Sequence, residues 1–135
     1  MNLKWLLWVF NDPIKRLEKW VRLCFGPNQD IINHQESPEI RDLRFFEEVT
    51  ELVQAGTISR EKAIEVINYV YDRERGVVDK EAGQVIVAFL NLCRCRGIDV
   101  IRAANTEINR INTVSVISRI RFRQATKPKP ETKQS

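Results

Sequence analysis

Helix punctuation is the feature that most limits what this chain can fold into. There are only five Gly and five Pro, and most fall at the ends of periodic apolar segments. Pro with its fixed φ suits the first helical position, and Gly suits the residue just past the last. Five segments are bracketed in this way. "NDPIKRLEKWVRLCFG" opens with Asp12 as N-cap and Pro13, and closes at Gly26. "SPEIRDLRFFEEVTELVQAG" repeats the device with Ser37, Pro38 and Gly56. "SREKAIEVINYVYDRERG" runs from a Ser59 cap to Gly76, and "DKEAGQVIVAFLNLCRCRG" from Asp79 to Gly97. "DVIRAANTEINRINTVSVISRIRFR" opens at Asp99 and fades into the tail. Only "TVSVISRIRFR" alternates like a strand, and only briefly. The expected fold is an all-α bundle of about five helices with short connections, successive helices packing largely antiparallel.

With 135 residues, 43% of them hydrophobic, the chain is long enough for one globular core. Residues 1–26 form an apolar N-terminal segment and first helix, 27–123 the helical body, and 124–135 a polar, Pro- and Lys-bearing tail expected to be disordered. The apolar run in "MNLKWLLWVFNDP" is too short to span a bilayer. Trp5, Leu6, Trp8 and Phe10 are costly to leave in water, so this segment is expected to pack on the domain or on another subunit. Cys24, Cys93 and Cys95 show neither a zinc spacing nor a disulfide framework, which suits buried thiols in a reduced, cytoplasmic protein. His34, the only histidine, has no partner for nucleophilic or zinc chemistry in the sequence and reads as a polar loop residue.

The net charge of +4 is unevenly spread. From Arg119 onward six Lys/Arg face one acid, Glu131, so the end of the chain carries +5 and the rest −1. A body without a basic face argues against nucleic-acid binding except through that tail.

Two segments carry the chemistry. At about 100° per residue, Glu47, Glu48 and Glu51 share one face of their helix with Arg44, opposite Phe45, Phe46, Val49, Leu52 and Val53. Alone, this is an ordinary solvated face with Arg44 and Glu48 as an i,i+4 pair. In "EAGQVIVAFLNLC" apolar residues point in nearly every direction, the mark of a buried helix, yet Glu81, Gln84 and Asn91 share a stripe about 80° wide. A carboxylate on a buried helix is costly unless paired or bound to a metal, although Glu81 also suits a helix N-terminus. If the two stripes face each other, four carboxylates converge, and oxygen ligands of that kind suit Mg²⁺ or Mn²⁺.

The residues that carry these stripes resemble a known family. "FFEEVTEL", followed by "EAGQVIVAFLNLCRCRGIDVIRAANTEINRI", resembles the MazG-type all-α nucleoside triphosphate pyrophosphohydrolases, with their E-E-x-x-E, later E-x-x-D and "GID…A…N" pattern. "RFFEEVTELVQAG", "YVYDRERG" and "KEAGQVIVAFLNLC" are similar to small MazG-like proteins of bacteria and phages. The likeness covers about residues 25 to 112. It implies hydrolysis of a nucleoside or deoxynucleoside triphosphate to the monophosphate and pyrophosphate, by a dimer or tetramer with sites near subunit interfaces. By position, Glu47, Glu48, Glu51 and Glu81 would be Mg²⁺ ligands, with Glu47 or Glu48 taking the proton of the attacking water. Asn105 and Arg110 match positions that would meet the nucleotide.

Two departures bear on turnover. Gln84 stands where the pattern has Asp, which removes one negative charge while leaving an amide oxygen that still ligates Mg²⁺ more weakly. Glu107 stands where a Lys is expected, so the phosphate-contacting cation would have to be Arg44, Lys62 or Lys80. Glu107 could also restore the charge lost at Gln84. The expected activity is therefore a Mg²⁺-dependent pyrophosphohydrolase, with a MazG-fold protein that binds nucleotide or a partner without turnover as the alternative.

Overall fold

A computed structural model of the chain describes residues 15–25, 37–123 and 126–130, and every regular element of any length among them is an α-helix. The six are α1 (15–25), α2 (Pro38–Ala55), α3 (Arg60–Tyr71), α4 (Val78–Arg96), α5 (Val100–Ile111) and α6 (Val114–Arg123). The all-α expectation holds, and no strand occurs among the described residues. Asp12, Pro13, Gly26, His34, the N-terminal Trp5, Leu6, Trp8 and Phe10, and residues 124–125 and 131–135 of the tail lie outside them.

The caps explain most of the boundaries. Ser37 precedes α2, its carbonyl accepting from the Arg41 N–H at 3.0 Å and its hydroxyl from Ile40 at 3.4 Å. Ser59 caps α3 from extended backbone, its Oγ accepting from the Lys62 N–H at 3.2 Å. α4 ends in a Schellman turn. Gly97 takes φ 66°, its N–H reaches the Arg94 carbonyl, and Ile98 N donates to Cys93 O at 2.9 Å.

Three boundaries depart from the sequence expectation. α3 stops at Tyr71 with Asp72 as its C-cap, so "RERG" is a connection and Gly76 caps nothing. α4 begins two residues early, with Val77 in the cap position and no side-chain cap bond, which leaves Asp79 and Glu81 in the first turn beside the positive end of the helix dipole. The last expected helix is two. The Asn112 amide donates to Ile108 O at 3.0 Å and the Thr113 hydroxyl to Arg110 O at 3.1 Å. Such side-chain bonds compete with the backbone ladder. Thr113 O then accepts from Ile117 N at 3.0 Å, opening α6.

The helices fall into two compact units, Met1–Leu43 with Ile101–Ser135, and Arg44–Val100. In the first, α1 is tied along its length to α5 and α6. Arg16 donates to the Asn105 and Asn109 side-chain oxygens at 3.2 and 2.5 Å, and Trp20 Nε1 donates to Ile111 O at 3.0 Å. The Arg121 guanidinium donates to the Leu23 and Cys24 carbonyls at the end of α1. A cation is favoured at that end by the helix dipole. Contacts progress in the same direction along both helices, so α1 and α5 run parallel. Among the described residues of this unit Val21, Cys24 and Ile40 are buried, and burial pushes the Cys24 thiol up, opposed by the charge of Arg121.

The Arg44–Val100 unit holds α3, α4 and most of α2. Of all its apolar residues only Cys93 is buried. This corrects the expectation of a buried fourth helix, since Ile86 is 58% and Val87 69% exposed, and Phe45 and Phe46 on α2 are more than half exposed. An all-round apolar helix must be covered on all sides, and one copy of this unit has too few helices to do it.

Candidate metal and nucleotide site

The acidic row lies along the middle of α2, where a continuous helix keeps Glu47, Glu48 and Glu51 within an arc of about 100°. Glu47 is half-buried, while Glu48 and Glu51 are exposed. Arg44 Nη1 donates to Glu47 Oε2 at 2.8 Å, an i,i+3 ion pair whose arginine end is the more covered. One cation thus already sits on the row. The Thr50 hydroxyl between the acids is turned back to Phe46 O at 2.7 Å.

Glu81 occupies the first turn of α4 and is exposed, as are Lys80 and Gln84. Its carboxylate folds back on the connection before the helix, so that a Cβ added at Gly76 would collide with it. The argument from the cost of a buried carboxylate therefore does not apply to Glu81 in a single copy, and the helix-dipole explanation does. At the other end of α4, the Arg96 guanidinium lies over Gly56, where an added Cβ would meet it at 2.8 Å. This joins the C-terminal ends of α2 and α4. From that junction Glu51 is about 7 Å along its helix and Glu81 about 22 Å along its own.

Among the described residues no group of three or more His, Cys, Asp or Glu is gathered as a metal site. The oxygen donors are of the right chemical type for Mg²⁺, but one copy does not bring Glu47, Glu48, Glu51 and Glu81 together as a coordination shell.

The nucleotide-contact candidates outside this unit are engaged elsewhere. Asn105 gives its carboxamide oxygen to Arg16. Arg110 Nε donates to Glu107 Oε2 at 2.8 Å, and this hydrogen bond, ahead of the guanidinium's charge, holds the Glu107 carboxyl below its usual range despite slight desolvation. Glu107 is thus neutralised locally. Lys62 is paired with Glu65 at 2.6 Å, so of the cations considered for phosphate Arg44 and Lys62 each carry an acid partner, as does the nucleotide-contact candidate Arg110.

Sequence reasoning missed the α1 clamp. Its signal is present in hindsight as Asn105 and Asn109 one turn apart, facing Arg16, but Arg16 reads as a surface charge until the helices are placed. No helix among the described residues is long and apolar enough to cross a membrane. Comparison with known proteins finds no matching family model, and no curated protein or solved structure shows significant similarity.

Proposed function

We propose that the chain is a MazG-like nucleotide pyrophosphohydrolase, taking a nucleoside or deoxynucleoside triphosphate with Mg²⁺ or Mn²⁺. The observation that carries this reading is the row Glu47, Glu48 and Glu51 on one face of α2, with Glu81 in the same compact unit. Three carboxylates that close together repel one another, and a divalent cation is the economical way to relieve that. Glu48 and Glu51 are exposed and accessible to such an ion, and Glu81 and Gln84 would supply further oxygens. When bound, the metal would neutralise the triphosphate and polarise its phosphoryl oxygens. Lys80, exposed on the same helix as Glu81, would be the cation offered to a phosphate.

A second reading has its own support: a MazG-fold protein that binds nucleotide or a partner without turnover. Gln84 removes a charge that a catalytic metal would use, Glu107 replaces a cation with an acid already tied to Arg110, and the described residues of one copy gather no three-acid site.

Pyrophosphate release from a panel of NTPs and dNTPs with Mg²⁺ or Mn²⁺ separates the two. The first reading expects metal-dependent release that falls at least about a hundredfold in Glu48→Gln, the scale of losing one positioned catalytic group. No release from any substrate by folded, metal-supplied protein would leave the binding reading.

A further inference from the structure

We propose that α1 and the apolar run before it dock the chain on an anionic membrane surface. Lys15, Lys19 and Arg22 lie on the headgroups, and Trp5, Leu6, Trp8 and Phe10 enter the interface. The proposal is independent of the nucleotide reading.

The cationic part is set by the fold. At about 100° per residue, Lys15, Lys19 and Arg22 fall within an arc of about 60° on α1, and all three are exposed. The opposite side of the helix is already used. Val21 and Cys24 are buried there, and Trp20 Nε1 donates to Ile111 O at 3.0 Å. Arg16, about 100° round from Lys15, is held by Asn105 and Asn109. These ties fix the rotation of α1 with its Lys15–Lys19–Arg22 row outward. Glu18, the one acid on α1, borders the row about 60° from Lys15 and leaves its centre cationic.

The apolar part is set by composition. Six consecutive residues, "WLLWVF" from Trp5 to Phe10, are apolar. Trp favours the boundary between headgroups and acyl chains, and so short a run can enter that boundary without crossing the bilayer. The net charge of the body hides how basic this region is. In residues 1–25, Lys4, Lys15, Arg16, Lys19 and Arg22 face only Asp12 and Glu18, a net of +3. An apolar anchor joined to a basic patch binds an anionic surface more firmly than either signal alone.

Other anionic partners use less of this pattern. A nucleic acid would pair its phosphates with the basic row and stack bases on Trp5, Trp8 or Phe10, but it would leave Leu6, Leu7 and Val9 in water. The other unit offers no competing face, since between Arg44 and Val100 ten acids outnumber eight Lys/Arg. The +5 carried from Arg119 onward has the sign of α1 and adds attraction to the same surface.

The test is co-sedimentation of the full chain with vesicles of phosphatidylcholine alone or mixed with phosphatidylglycerol, at low and high salt, beside tryptophan quenching by brominated lipid. Expected is binding to the anionic vesicles only, weakened by salt, with tryptophan quenched. Lys15→Glu and Lys19→Glu should each weaken binding at least about fivefold with unchanged circular dichroism, the scale of one cation at an anionic surface. Arg60→Glu makes the same charge change at an exposed site of the other unit and should have a smaller effect than either. The double change Trp5→Ala, Trp8→Ala should abolish the quenching, because Trp20 is tied to Ile111 O. No vesicle binding overturns the proposal. So does binding that Arg60→Glu weakens as much as Lys19→Glu, binding that both α1 variants leave unchanged, or capture of a single-stranded oligonucleotide by a chain that ignores vesicles. None of these readouts depends on nucleotide hydrolysis or metal.

Discussion

At the residue scale, the carboxylates divide by what already holds them. Glu47 carries Arg44 and Glu107 carries Arg110, while Glu48, Glu51 and Glu81 are the more exposed carboxylates of α2 and α4 considered for the site. The Glu107 pair gives a direct prediction. Its folded pKa is depressed, so whatever stability it contributes is present above the unfolded pKa and lost as pH falls through the folded value. Both partners are more than half exposed, so that contribution is about 0.5 kcal/mol or less after solvent screening. In Arg110→Ala, the Glu107 carboxyl should titrate higher by carbon-detected NMR, with little change in melting temperature. An unmoved titration would show that the pair does not persist in solution. The idea that Glu107 compensates for Gln84 loses ground here, because its charge is spent on a neighbour one turn away.

At the element scale, helix identity was legible and helix ends were legible only where a side chain makes the cap. Ser37, Ser59 and Gly97 sit where the sequence puts them because an Oγ or a left-handed φ fixes the boundary locally. α4 starts at Val78 without any such device, so Asp79, the better capping residue, misled. The break at Asn112 and Thr113 was hidden because both side chains bond to the backbone only once the preceding turn exists. The caps can be compared quantitatively. Ser59→Ala should cost about 1 kcal/mol in urea unfolding, as for a lost side-chain cap. Val77→Asp should raise stability by about 0.5–1 kcal/mol, since it supplies both a cap acceptor and a charge at the helix start. If Ser59→Ala costs nothing, the Ser59 hydroxyl does not hold the start of α3.

At the scale of the whole molecule, the sequence pattern of α4 implies burial within one chain, whereas the same pattern is left exposed in a single copy. Periodicity tells which residues avoid water, not whose atoms cover them. The same limit applies to the site. The row on α2 was legible because one helix sets its geometry. The meeting of that row with Glu81 was not legible, because it depends on how separate helices pack, and one copy does not bring the acids together. We propose that Glu81 and the α2 row act as one divalent-cation site. Mn²⁺ binding to the full chain, followed by loss of the free-ion electron paramagnetic resonance signal, tests it most directly. Binding by the wild-type chain is expected, weakened at least about tenfold in both Glu48→Gln and Glu81→Gln, the effect of losing roughly 1.4 kcal/mol from a shared ligand set. No Mn²⁺ bound, or binding that Glu81→Gln leaves untouched, would contradict it.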